Sequence, residues 1–100
     1  MIRVSIKRRN GIEKISVTGH ADAAEYGEDL ICAGVSSIAF GLCNALDEMK
    51  ASADIKIKEN SIEIRTDSKD ALTQTILETG YYQLKTVSDQ YPENMKITEV

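Results

Sequence analysis

The stretch Leu30–Leu46, LICAGVSSIAFGLCNAL, carries no ionisable side chain other than the thiols of Cys32 and Cys43. It reaches only the shortest length that crosses a bilayer, and Ser36, Ser37 and Asn44 interrupt it. Ile31, Val35, Ile38, Leu42, Ala45, Leu46 and Met49 recur at three- and four-residue spacing. That period predicts a buried helix of about five turns from Leu30 onward and not a membrane span. The far side of this helix is unusual, because Ala33, Ser37, Phe40, Gly41 and Asn44 stand where a solvated helix shows Lys and Glu. Something is expected to pack there too.

Upstream, Ile2, Val4 and Ile6 alternate with polar residues, Asn10-Gly11 supplies a hairpin turn, and Ile15 and Val17 resume the alternation up to Gly19. Ala21 to Asp29 has no sustained period and reads as a loop. Downstream, Ile55 and Ile57, a Glu59-Asn60-Ser61 turn, then Ile62 and Ile64 predict a second hairpin. Asp67 or Ser68 is placed to cap a second helix whose inward line is Leu72, Ile76, Leu84 and Val87. Gly80 in its middle costs about 1 kcal/mol relative to alanine, which points to close helix packing. Pro92 ends that helix, and Met95 and Ile97 return as a last strand. The order β-β-α-β-β-α-β predicts an α/β two-layer sandwich, a largely antiparallel sheet with two helices on one face.

One hundred residues with 42% apolar content support one domain, residues 1–100, with one modest core. Twelve Lys and Arg against sixteen Asp and Glu give no electrostatic reason to bind nucleic acid or an anionic membrane. Arg3, Lys7, Arg8, Arg9 and Lys14 crowd the first hairpin, where a solvated strand face accounts for them. The opening MIRVSIKRR lacks the apolar run of a signal peptide, so a cytoplasmic protein is expected. Cys32 and Cys43 on one helix stand ~16 Å apart, beyond the ~7 Å limit of a disulfide. One histidine, two widely spaced cysteines and no C-x-x-C make a poor metal set, so neither metal nor cofactor is expected.

The chemistry gathers around Cys32. In the first turn of the predicted helix, free amides and the positive end of the dipole favour a thiolate, the nucleophilic form. Cys43, mid-helix, reads as a packing residue. His20, the single histidine, follows directly on the second strand. If the helix start packs beside that strand end, His20 and Cys32 form the base and nucleophile that thiol catalysis needs. Asp29 either orients the imidazole or caps the helix. Ser36, one turn beyond Cys32, has a hydroxyl placed to donate to a substrate carbonyl or to the thiolate. The amides around Cys32 and Ala33 are candidate oxyanion donors. Spacing alone favours the plainer reading, a turn histidine and a packed structural thiol.

Gly19-His20-Ala21, a spacer, then Gly27-x-Asp29-x-x-Cys32-Ala33-x-x-Ser36 resembles the signature of the ribosomal-processing cysteine proteases, the Prp family. The likeness extends over the whole chain. The resemblance implies a cytoplasmic endopeptidase that removes a short N-terminal extension from large-subunit ribosomal protein twenty-seven, cutting after Phe. It implies Cys32 as nucleophile and His20 as general base and acid, with Asp29 and Ser36 in supporting positions. Ala21 to Glu28 would close over the substrate, with Gly27 as hinge and Tyr26 placed to stack on the substrate's Phe. The family pattern is a homodimer, and the unusually apolar far side of the first helix, Phe40 included, is where contact with a partner chain is expected. The implied partner is the precursor protein, with no direct nucleic acid and no membrane. Two rivals stand beside this reading: a non-enzymatic ribosome-associated peptide-binding module and a thiol redox sensor working through Cys32 without His20.

Overall fold

The computed structural model describes residues 1–19 and 28–100, the side chains of Glu28 and Asp29 excepted. His20, Tyr26 and Gly27 therefore lie outside the described residues. In β1 (Ile2–Arg8) the residues Ile2, Val4 and Ile6 are buried while Arg3 and Lys7 are exposed. This period-two alternation makes one face of the strand core and the other solvent. β2 (Ile12–Thr18) repeats it with Ile15 and Val17, a register shift opposite Lys7 and Arg8 brings Ile12 inward as well, and a hairpin with left-handed Asn10 and Gly11 joins the two strands. β3 (Asp54–Lys58) and β4 (Ser61–Arg65) form the second hairpin, and β5 (Met95–Glu99) closes the chain.

The sheet order is β3-β4-β2-β1-β5. Three pairings are antiparallel and β1–β5 is parallel, so the sheet is mixed. The element order is the expected β-β-α-β-β-α-β. Both helices, α1 (Glu28–Glu48) and α2 (Ala71–Gln90), contribute to one core with the inward strand residues. α1 is long and apolar enough to cross a membrane, but Val35, Ala39, Leu42, Cys43 and Leu46 are buried in that core. At the crossing of the helices, a Cβ added to Gly80 would lie 2.7 Å from Leu42 Cδ2, the close packing that the glycine signalled.

Three local expectations are corrected. The helix carrying Cys32 begins at Glu28, so Glu28 and Asp29 belong to it and not to the preceding loop. α2 is capped by Asp70, whose carboxylate accepts the Thr73 amide at 2.7 Å, not by Asp67 or Ser68. The Ser68 hydroxyl is taken by the turn before the helix, where it accepts from the Asp70 amide at 3.3 Å. The inward line of α2 is Thr73, Leu77, Gly80, Tyr81 and Leu84, while Leu72 is exposed. Thr73 and Tyr81 go inward because their hydroxyls find partners: Thr73 Oγ1 accepts from the Ser52 amide and Tyr81 Oη donates to Glu99.

Candidate active site

The end of β2, the β3–β4 turn and the second turn of α1 meet at one end of the sheet. Their meeting follows from strand pairing: Thr18 lies opposite Ser61, and the Gly19 amide donates to the Asn60 carbonyl at 3.2 Å. Gly19 sits at φ +78°, and a Cβ there would lie 2.6 Å from the Met1 carbonyl oxygen. Only glycine fits that backbone and that gap. The residue before His20 is thus clamped between the β3–β4 turn and the start of β1.

Cys32 is half-buried and lines a cavity of about 160 Å³ together with Gly19. Ile2, Val17, Val35, Ala39 and Ile62 give this cavity its apolar walls, while Ser36, Glu59 and Asn60 contribute polar groups. Ser36 is exposed one turn beyond the thiol, as its spacing predicts. Phe40, two turns on and 45% exposed, also lines the cavity, although the sequence pattern places it on the far side of the helix. Ala33, Ser37, Gly41 and Asn44 are exposed, and nothing within the described chain covers them.

The earlier start of α1 changes two roles. Cys32 is the fifth residue of the helix and stands in its second turn. The amides of Cys32 and Ala33 therefore close the i→i−4 ladder onto the carbonyls of residues 28 and 29, and they are not the free donors expected at a helix start. Asp29 is the second helical residue, inside the helix and not its N-cap. Cys43 faces the core, and burial pushes its thiol up, away from the reactive anionic form. Among the described residues no three His, Cys, Asp or Glu side chains are grouped to hold a metal ion.

Sequence reasoning missed the contribution of the β3–β4 turn to this cavity. The signal was present in the two hairpins: pairing the second strand of one with the second strand of the other brings Ser61 beside Thr18 and carries Lys58 to Asn60 to the site.

A family profile described as cysteine protease Prp matches residues 1–96. The ribosomal processing cysteine protease Prp of Staphylococcus aureus (strain Mu50 / ATCC 700699) is 31% identical, covering 96% of this chain and 94% of its own length. That of Bacillus subtilis (strain 168) is also 31% identical, over 98% and 96% of the two chains. The crystal structure of the S. aureus protease with a substrate peptide superposes with a TM-score of 0.91 at 31% identity, over the full length of both chains. The same protease with a covalently linked product peptide gives 0.89 at 32%, again over both full chains.

Proposed function

Because the chain belongs to the Prp family of ribosomal-processing cysteine proteases, we propose that it removes the N-terminal extension of large-subunit ribosomal protein twenty-seven, cutting after Phe. As a cysteine protease it is an enzyme, which sets aside the bare peptide-binding module and the redox sensor. The observation that carries the reading is the opening of the Cys32 side chain onto a cavity with apolar walls, shared with the residue that precedes His20. A relative's structure holding a covalently linked product peptide supports a covalent route.

Cys32 Sγ, as thiolate, attacks the carbonyl carbon of the scissile bond, and the carbonyl oxygen takes up the negative charge. With the Cys32 and Ala33 amides committed to the helix, the Ser36 hydroxyl is the donor toward that oxygen. The C–N bond breaks as imidazolium His20 gives its proton to the departing amine, leaving a thioester on Cys32. His20 then takes a proton from water, whose oxygen attacks the thioester, and the acid product leaves with Cys32 restored as thiolate. The apolar walls of the cavity and Phe40 receive the aromatic side chain ahead of the cut, with Tyr26 stacking on it and Gly27 as the hinge of the covering segment. Asp29 orients His20.

The enzyme works in the cytoplasm without a cofactor. It works as a homodimer, joined through the uncharged outer face of α1, where Leu30 is 71% exposed beside Ala33, Ser37 and Gly41. The test is mass spectrometry of an extended ribosomal-protein substrate after incubation. One internal cut just after Phe, lost in both Cys32→Ala and His20→Ala, is the expected result. Cleavage surviving Cys32→Ala would sink the proposal.

A further inference from the structure

The sheet face turned away from the helices concentrates positive charge that the composition of the whole chain hides. Residues alternating with the core point to this side: Arg3 and Lys7 from β1, Lys14 from β2, Lys56 and Lys58 from β3, Arg65 from β4 and Lys96 from β5. Against these seven cations the face holds Asp54 and Glu63, and Glu13 and Asp67 line one depression with Lys7, Lys14 and Arg65. The remainder of the chain has five Lys and Arg and twelve Asp and Glu. Glu63 is engaged between Lys14 at 3.1 Å and Arg65 at 3.1 Å. Arg3, Lys7, Lys56, Lys58 and Lys96 have no ion-pair partner among the described residues.

Lysines on edge strands have a mundane use, blocking pairing with other sheets. That covers β3 and β5 here, but Arg3, Lys7, Lys14 and Arg65 stand on the interior strands β1, β2 and β4. The register also sets like charges directly side by side: Arg3 pairs with Lys96, Lys7 with Lys14, and Lys14 with Arg65. Like charges opposite one another in a sheet are destabilising. Glu63 offsets the Lys14–Arg65 contact, and the other two, Arg3–Lys96 and Lys7–Lys14, carry a cost that a bound polyanion would relieve.

We propose that this open face binds the backbone of double-stranded RNA. Between Arg3 and Lys96 lies a depression of about 210 Å³ also lined by Ser5, Ser16 and Thr98. Their hydroxyls suit the phosphate oxygens and 2′-hydroxyls that a shallow RNA minor groove presents. The five strands spread the cations over ~19 Å, at ~4.8 Å per strand, a broad flat surface and not a narrow channel. No aromatic residue stands on the outward positions of the strands, so nothing there stacks on unpaired bases as single-strand readers do. Contact is with phosphate and sugar, independent of sequence. At physiological salt the screening length of ~8 Å lets the face act locally despite the acidic helix side.

The experiment is fluorescence anisotropy of a labelled RNA duplex with the full-length protein, including Cys32→Ala, which is expected to bind as tightly as the parent because this surface is independent of the thiol. Engagement of about four phosphates predicts roughly a hundredfold weakening between 50 and 200 mM salt. The triple variant Arg3→Gln, Lys7→Gln, Lys96→Gln should lose at least about tenfold in affinity at low salt, melt no lower than the parent and cleave a short peptide normally. A charge-matched control, Lys50→Gln, Lys69→Gln, Lys85→Gln, should stay within about threefold of the parent. Equal loss in the control, or displacement of the duplex by poly-glutamate peptide at equal charge concentration, would overturn the proposal, the latter in favour of an acidic protein partner.

Discussion

α1 and α2 are of nearly equal length and lie on one face of one sheet, yet they are held by different means. α2 is tied down by polar groups along its first half, from its cap to Tyr81. Asp70 caps it, Gln74 bonds both the amide and the carbonyl of Ile12, and Glu78 takes two hydrogen bonds from Arg8. Arg8 also lies 4.8 Å over the Tyr81 ring, and Tyr81 Oη donates to Glu99. α1 has no charged residue from Leu30 to Leu46 and rests on apolar packing alone along its inner line. The difference separates two tasks: α2 fixes the sheet and the register of the packing, which leaves α1 to present a thiol at one end and an uncharged outer face.

The two cysteines of α1 give this contrast its largest expected effect. Cys32→Ala should lower cleavage by at least about a thousandfold while moving stability by no more than ~0.5 kcal/mol. Cys43→Ala should leave cleavage intact and cost about 1 kcal/mol by opening a small void in the core. Iodoacetamide at neutral pH should label Cys32 first and Cys43 only on unfolding, since Cys43 is buried and its thiol is pushed up. Prior labelling of Cys43 would break the distinction between a presented and a packed sulfur. Next in size is Gly19→Ala, where left-handed backbone and the Met1 carbonyl together exact about 2–3 kcal/mol. Its melting temperature and cleavage rate should fall together, because the same clamp holds the strand end and the site.

What was legible in the chain follows the same division. Elements defined by apolar period were readable: both hairpins, the helix around Val35 and Leu42, and the final strand after Pro92. The helix carrying Cys32 meets the end of β2 at one cavity, the condition on which the pairing with His20 rested, while His20 itself lies outside the described residues. The inward face of α2 was not, because Thr73 and Tyr81 read as surface residues until their hydroxyl partners, Ser52 and Glu99, are in place. The start of α1 was misread by two residues because Glu28 and Asp29 are charged, and charge in a first helical turn looks like loop. The wall supplied by Lys58 to Asn60 is set by the pairing of β2 with β4, a long-range contact between the two hairpins that each hairpin read by itself does not show.

Smaller effects test the outer face of α1 and its inner contact. Ser37→Glu puts a charge on the exposed uncharged face beside the groove that Ile38 and Ile76 line. Light scattering should show the dimer of the proposed assembly shifting to monomer, with the fold intact by circular dichroism. An unchanged dimer would move the contact elsewhere. Gly80→Ala sets about 1 kcal/mol of helix propensity gained against the displacement of Leu42 from a packed position. The expected balance is a net loss of about 1 kcal/mol in a denaturant melt, and a gain would mean that Leu42 swings aside freely.

Acid offers the gentlest way to separate the helices. Asp70 is held below the ordinary carboxylate range by the hydrogen bonds it accepts from Thr73, and Glu99 by its bonds from Arg8 and Tyr81. The folded chain therefore binds fewer protons at these two groups than the unfolded chain does. Their contribution is complete above the unfolded values of about 4 and is lost as pH falls through the lower folded values. Both groups anchor α2 or the strand beside it, whereas the inner line of α1 is apolar and does not titrate, Cys43 apart. Amide exchange followed from pH 6 down to pH 3, corrected for intrinsic rates, should show protection at Thr73 and the α2 start declining before that of Val35 to Leu46. Simultaneous loss along both helices would show that the apolar packing of α1 depends on the polar anchoring of α2, and the two would then be one cooperative unit.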